Sequence, residues 1–281
     1  MWLAIAVGSA LLFGLAGWWM KVSQMRRRHV SVMLFGLYAS GTAGFGIHAT
    51  VEGSIHQLND YRIWLAGIII GAGSALGNAL FMKALDYGPA ALTSPLTNMN
   101  IVLVIALGTL YYGETLQWTE AIGIALLLAA VVMISYKKQS ASSSVESRWY
   151  IYVTAAILFF TFRNGGLKVT EELDLSSAPI LFIGYALSLI WFAFPLRKAS
   201  DRPAFGTGLK LGLLAGVFSY GGLQLYAVAL ATGPSNLAAP IFATNSLVVA
   251  AGSILIYKEK LNLAQWTAFL LTIAGLIIIR I

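Results

Sequence analysis

The sequence contains no cysteine, only three histidines (His29, His48 and His56), and few charges, with 10% of its 281 residues being Asp, Glu, Lys or Arg. Without cysteine there can be no disulfide, iron–sulfur cluster or thiolate zinc site. No His-Glu-x-x-His occurs among the histidines, so neither a metal nor a cofactor is expected. An enzyme needs a nucleophile–base pair or a metal cluster, and the residues supply neither. A soluble domain carries about 25% charged residues, and this chain falls too far below that to cover a surface facing water. No basic stretch precedes the first apolar run, so residues 2–20 read as a retained span and not a cleaved signal.

Apolar sequence fills the chain instead. It makes up 58% of the residues, with a mean hydropathy of +0.79. A helix needs about 20 residues to cross a ~30 Å hydrocarbon core, which leaves room for roughly ten crossings and no separate soluble domain. Spans are read near 2–20, 30–51, 63–82, 90–111, 118–136, 150–169, 179–196, 208–230, 236–256 and 263–280. The runs lack the alternation of an outer-membrane barrel, so the fold expected is all-α and membrane-embedded. The longest polar interruption, KKQSASSSVESR at 137–148, reads as a Ser-rich linker between a half at 1–136 and a half at 149–281.

The net charge of +7 does not point to nucleic acid, because the basic residues sit at the ends of the apolar runs. Counted at alternate ends, one side collects fourteen of the eighteen: Lys21, Arg26, Arg27, Arg28, Lys83, Lys137, Lys138, Arg148, Arg197, Lys198, Arg202, Lys210, Lys258 and Lys260. The other side collects Arg62, Lys168 and Arg280, while Arg163 lies within a span. The positive-inside rule then places both termini outside a cell (inner or plasma) membrane.

Shifted by about 145 residues, the second half falls on the first. Ala84-Leu85 matches Ala229-Leu230, Gly88-Pro89 matches Gly233-Pro234, Pro95 matches Pro240, and Asn100 matches Asn245. Tyr112 matches Tyr257, and Glu114-x-Leu116 matches Glu259-x-Leu261. Chance similarity between apolar segments would share Leu and Ala, not two prolines, an asparagine and a glutamate in register. Each half holds an odd number of crossings, so the second enters from the opposite face. The expected architecture is ten transmembrane helices as two inverted five-helix repeats, an arrangement that serves alternating access around a central site.

Gly-Pro, a short helix with proline, then Glu-x-Leu before a Gly/Ala-rich last helix occurs twice, most distinctly over 84–134 and 229–279. This pattern resembles the EamA-type family of the drug/metabolite transporter superfamily. The resemblance covers nearly the whole chain. It implies a ten-helix transporter whose central cavity is lined mainly by the first four helices of each half, with the last helix of each half peripheral.

Arg163 is the sharpest candidate for chemistry. It lies about 20 Å along the sixth span at ~1.5 Å per residue, where a charge costs at least ~2.5–3.5 kcal/mol and must face the bundle interior or water. Its guanidinium fork suits a carboxylate or phosphate; the alternatives are outward snorkelling or pairing with Glu171 or Glu172. Asn164, Gly165 and Gly166 follow it and loosen the helix. Asn100 and Asn245 each stand five residues after a proline (Pro95, Pro240) that breaks its helix. They read as a symmetric polar wall or as interhelical hydrogen bonds. Asn78 and Gln224 hold nearly matching places and carry the same two readings. Among the aromatics, Tyr38 and Tyr220 are cavity candidates, and Trp18 and Trp19, beside Lys21, are candidates for the cavity or for an interfacial belt.

Lys21 and Lys168 are expected to snorkel, Lys83 and Asp86 to pair, and Glu114 and Glu259 to favour the helices they precede. His48 and Glu52 share a helical face and could take part in proton coupling. Gly71-x-Gly73-x-x-x-Gly77 has the wrong spacing for a dinucleotide loop, and with Gly67, Gly212 and Gly216 it reads as a helix-packing face.

The expected function is secondary transport of small polar metabolites, amino acids or related compounds, outward and by alternating access. The alternatives are a transporter of quaternary amines, sugars or drugs, held by aromatic faces, and a non-transporting scaffold. The expected partners are a small-molecule substrate and the lipid bilayer, with a monomer and no nucleic acid.

Overall fold

The computed structural model describes residues 1–26, 28–87, 90–135, 147–196, 202–257 and 263–278, and no strand occurs among them. Most of the 137–148 linker, Gly88-Pro89, Glu259, Arg280 and the side chain of Pro95 lie outside the described residues.

The helices follow the apolar runs. They are α1 (Trp2–Met25), α2 (Val30–Val51), α3 (Tyr61–Tyr87), α4 (Ala90–Thr97), α5 (Asn100–Ala106), α6 (Trp118–Ser135), α7 (Ser147–Glu172), α8 (Ser177–Leu196), α9 (Arg202–Thr232), α10 (Ser235–Ala243), α11 (Asn245–Tyr257) and α12 (Leu263–Ile278). α2 stops where Gly53 adopts φ 76°, a left-handed conformation that costs glycine nothing and turns the chain into a short 3-10 segment at Ser54–Asn59. α5 runs on into a π-helical turn, Leu107–Tyr111.

Five of these helices, α1, α2, α3, α8 and the Phe205–Thr232 part of α9, are long and apolar enough to cross a bilayer. The core is apolar, but so is much of the outer surface, unlike that of a soluble protein. Large apolar side chains such as Ile47, Leu65, Ile68, Leu158, Phe162, Ile190 and Trp191 are exposed on the outside, while Arg163, Asn100, Asn164, Asn78 and Ser74 are buried within. Lipid accepts the first group, and the bundle interior satisfies the second.

Helix directions follow from close contacts at small residues. Gly212 packs against Met33 and Gly36, Gly44 lies under the Tyr220 ring, and His48 meets Gln224, so α2 and α9 run parallel. Gly67 faces Ile183, and Ser188 donates to the Gly71 carbonyl, so α3 and α8 run parallel too. Ile70 lies against Gly166 and Phe160 against Gly77, which makes α3 and α7 antiparallel. Along α1, Trp2 lies against Gly233 and Phe13 against Gly222, antiparallel to α9, whereas Gly14 and Trp18 track Asn245 and Gly252, parallel to α11.

These directions give the bundle two ends. One carries Met25, Tyr87, Ser147 and Arg202 and is rich in Lys and Arg. The other carries Trp2, Val51, Tyr61, Glu172 and Thr232 and gathers Glu52, Asp60, Glu114, Glu171 and Asp174.

Candidate functional site

Two interrupted helices meet at mid-depth. α4 ends at Thr97 and α5 starts at Asn100; α10 ends at Ala243 and α11 starts at Asn245. A break inside a bilayer strands carbonyls that only protein or a polar cavity can satisfy. Here the same residue does it twice. Asn100 Nδ2 donates to the Thr97 carbonyl at 2.6 Å, and Asn245 Nδ2 donates to the Phe242 carbonyl at 2.7 Å. The two breaks also touch, since Asn98 Nδ2 donates to the Ala243 carbonyl at 2.8 Å and to Asn245 Oδ1 at 3.1 Å.

Arg163 stands over this junction. It is 2% exposed, with its guanidinium carbon 4.4 Å from the Phe160 ring centre and 4.8 Å from that of Phe13. Its Nε donates to Asn164 Oδ1 at 3.0 Å; Asn164 Nδ2 passes the chain on to Asn100 Oδ1 at 2.8 Å. Nη1 is buried and has no hydrogen-bond partner among the described residues. Neither alternative reading of Arg163 matches this placement. It does not snorkel outward, and Glu171 and Glu172 are bound to Lys168 instead.

A cavity of about 30 Å³ opens here, lined by Arg163, Phe13, Phe160, Asn78, Asn98 and Asn245, with Ser94, Thr97, Ser219 and apolar neighbours. Arg163 is the charged side chain among the described residues that line it. Met20, Phe81 and Asn78 in its wall set the cavity on the basic-end side of mid-depth. At roughly 10–15 Å³ for each water it has room for two or three waters and not for a metabolite, so in this conformation the site is contracted.

The other candidates fall around it. Asn78 is in the wall, and its Nδ2 donates at 3.0 Å to the Tyr38 hydroxyl, which lies 3.1 Å from Ser74 Oγ; Tyr38 is fully buried behind the wall. Asn100 and Asn164 are also behind it, as links from Arg163 to the break. Pro240 is buried in α10, one helix turn before the break. Trp18 does not line the cavity but lies flat against Gly252 of α11, and the partly buried Trp19 packs on the apolar core. Tyr220 and Gln224 belong to a separate cluster with His48 near the acidic end.

Expectations for other polar residues need correcting. Lys168 does not snorkel: it is 3% exposed and binds Glu114 at 2.9 Å, Glu171 at 3.2 Å and Glu172. Glu114 faces away from the helix it precedes, accepting from the Ser235 amide at 3.0 Å and the Asn236 amide at 2.9 Å, and so caps α10. Burial opposes ionisation of Glu114, but the Lys168 ammonium and these two amides outweigh it and hold the carboxyl below its ordinary range. Lys83 sits over the Tyr152 ring and Asp86 accepts from Gln24, in place of the pair expected between them. The Phe13–Phe160 sandwich around Arg163 escaped sequence reading altogether. Phe160 stands three residues before Arg163, one turn away on the same face, and that spacing is the signal for it.

A bundle that is apolar outside and encloses a buried cation at the junction of two broken helices has the layout of a membrane transporter. The chain matches the EamA-like transporter family over residues 1–136 and again over 147–281, and it belongs to that family, within the drug/metabolite transporter superfamily. It is thus a multi-pass membrane protein. An uncharacterized transporter from the cobO 3′ region of Sinorhizobium sp is 30% identical over 74 residues, 26% of this chain and 52% of that protein. A probable 4-amino-4-deoxy-L-arabinose-phosphoundecaprenol flippase subunit ArnE of Yersinia pestis (strain Pestoides F) is 29% identical over 80 residues, 28% of this chain and 68% of that protein. An uncharacterized protein, MJ1333.1, of Methanocaldococcus jannaschii is 30% identical over 78 residues, 28% of this chain and 57% of that protein. The matched stretch therefore spans little more than half of the first and third of these relatives. A protein of known crystal structure shares the fold, with a TM-score of 0.74 over 99% of this chain and 95% of that one, at 13% identity.

Proposed function

We propose that the chain is a secondary transporter that moves small polar metabolites bearing a carboxylate, amino acids or related compounds, by alternating access, with Arg163 as the anion receptor. One observation carries this reading: the Arg163 guanidinium is buried among apolar rings, and among the described residues it has no carboxylate partner and keeps Nη1 unbonded beside a cavity. A buried cation without an anion is costly, and a substrate carboxylate would relieve it through paired N–H donors. Asn78, Asn98 and Asn245 would hold the remaining polar atoms, and Phe13 the apolar part.

The architecture in this reading is ten crossings, with α4/α5 and α10/α11 each counted as one, in two inverted halves at 1–136 and 149–281. Helix directions support it: α7, the counterpart of α1, runs against α3 and so opposes α1, while α8 opposes its counterpart α2. Both termini then sit outside an inner or plasma membrane, with the basic end in the cytoplasm, and the chain works as a monomer. Export is taken from the family resemblance. The contracted cavity requires that one end open before substrate enters.

A second reading rests on the phosphate-linked aminosugar in the printed name of the ArnE relative. A phosphate would meet the same guanidinium fork. Flux into proteoliposomes, with carboxylate and phosphate-bearing compounds in competition, tests both. If neither class moves or exchanges, the transport reading of this site fails; if Arg163→Ala transports as well as the parent, the receptor role fails.

A further inference from the structure

The central cavity is not placed evenly between the two ends of the bundle. Toward the basic end its wall reaches Met20 and Phe81, five and six residues from the ends of α1 and α3. Toward the acidic end a run of packed rings leads away from Arg163. Phe13 lies against the guanidinium, Phe242 against Phe13 with ring centres 5.0 Å apart, and Tyr226 against Phe242 at 4.2 Å. Tyr226 stands six residues from the acidic end of α9 and, like Phe242, is buried.

A charged layer lies outside the rings. Lys168, four residues from the end of α7, binds Glu114 at 2.9 Å across the bundle. The same carboxylate accepts from the Ser235 and Asn236 amides at the start of α10, and from Ser235 Oγ at 2.8 Å. Asn236 Nδ2 adds a bond of 3.2 Å to the Thr115 carbonyl. Gly108, in the π-helical turn, carries no side chain, which lets Glu114 and Ser235 close over it. Each of these bonds, and the Phe13–Phe242 contact, joins the segment 1–136 to the segment 147–281, the two that match the family separately.

Segments that rock about a central site part at one end as they meet at the other. Bonds that join them at an end are therefore the ones that must break when that end opens. Breaking a buried ion pair is costly when it leaves a charge bare. Here neither partner would be left so. Lys168 keeps Glu171 at 3.2 Å, and Glu172, both on its own helix. Glu114, at the end of the bundle, passes to water, as do the first amides of α10. The bonds between segments can thus open while those within α7 persist.

We propose that Glu114 and Lys168 form the gate that closes the acidic end over the central cavity, with the Phe13, Phe242 and Tyr226 rings as the layer beneath it. Its meaning as a gate rests on the transporter reading. The closure itself depends neither on Arg163 nor on any metabolite.

The test is the labelling rate of Ser94→Cys, a reporter in the cavity wall, in the full-length and otherwise cysteine-free chain. A membrane-impermeant thiol reagent is applied to each face of the membrane in turn, and the face from which Asp60→Cys reacts identifies the acidic end. The expected result is slow labelling from that face with the gate intact. Lys168→Met and Glu114→Gln should each raise it roughly tenfold, the factor for losing one hydrogen bond to a charged group, with no rise from the opposite face. Lys168→Met leaves the α10 cap in place, so the test stands even where Glu114→Gln does not fold. A rate from the acidic face that is unmoved in every variant that folds would overturn the proposal. So would an equal rise from both faces, which is what loosening of the whole bundle gives. A one-sided rise in a chain that moves no metabolite leaves the gate standing and the transport reading lost, whereas flat rates in a working transporter remove the gate alone.

Discussion

The rings of Tyr38 and Tyr185 pack edge to face, with centres 5.0 Å apart, and each hydroxyl bonds a serine on a neighbouring helix, Ser74 at 3.1 Å and Ser219 at 2.7 Å. The tyrosines stand 147 positions apart and the serines 145, the same offsets that align the halves of the sequence. Asn98 and the Ala243 carbonyl, also 145 apart, touch each other. Residues related by a two-fold operation can contact one another only near its axis. In the proposed inverted arrangement, the Tyr38–Tyr185 and Asn98–Ala243 contacts would lie near the axis that relates the halves.

Tyr38→Phe and Tyr185→Phe keep the ring contact and remove one hydroxyl each. Either should cost about 1 kcal/mol of stability, the net value of a typical buried hydrogen bond. Because the rings touch and Ser74 also interacts with the Tyr185 hydroxyl, the double variant should depart from additivity by about 0.5 kcal/mol or more, as read by thermal unfolding in one detergent. Strict additivity would mean that the two hydroxyls act independently. Tyr38→Phe should also weaken substrate binding slightly more than Tyr185→Phe, because it frees the Asn78 amide in the cavity wall.

Arg163→Ala should lower substrate affinity by about 10- to 100-fold, corresponding to roughly 1.5–3 kcal/mol for hydrogen bonds to a charged group. Arg163→Lys should recover only part of this, since an ammonium lacks the planar fork and stacks less well between Phe13 and Phe160. Ligand-induced thermal shift over a concentration series separates the three proteins. Equal affinities in the parent and the alanine variant would remove Arg163 from the site.

Part of this architecture is legible in the sequence. Apolar runs bounded by charge placed α2, α6 and α8 within two residues of their observed ends, because a bilayer permits few other solutions for such stretches. Pro240 is expected from the sequence to break its helix, yet α10 runs on through it to Ala243, and the interruption that follows is where Asn245 satisfies the Phe242 carbonyl, as Asn100 satisfies that of Thr97. What stayed hidden are contacts between halves. Glu114 and Lys168 were each visible at a helix end, yet nothing local says that the turn at Gly113 (φ 67°) carries Glu114 across to Lys168 and the start of α10. Trp18 was misplaced for a similar reason: its packing on Gly252 depends on α1 lying against α11.

The Glu114–Lys168 clasp should show an acid dependence of known sign. The Glu114 carboxyl is held below its ordinary value in the folded state, so its contribution is fully present above the unfolded value near 4.3. That contribution is lost as pH falls through the lower, folded value. Glu114→Gln keeps the cap in shape but removes the charge. It should lower stability by roughly 1–3 kcal/mol at neutral pH and abolish that part of the acid-induced loss. Melting temperature against pH, from about 7 down to 3, checks this; parallel curves for parent and variant would show that Glu114 carries no such linkage.

The proposed inverted arrangement fixes a membrane topology that can be read without any substrate. The loop of Arg26 to Arg28 and the 137–148 connector are both expected in the cytoplasm, because an even number of crossings separates them in the ten-span reading and both are basic. Glu52 and Asp60, between α2 and α3, are expected outside. Single cysteines suit the measurement, since the native chain has none. A membrane-impermeant thiol reagent added to intact cells should label Asp60→Cys and spare Arg28→Cys and Ser142→Cys until the membrane is opened. Labelling of Arg28→Cys and Ser142→Cys from opposite sides would mean an odd number of crossings between them. The halves would then enter in the same sense, and the contacts between Tyr38 and Tyr185 could not come from an inverted pair.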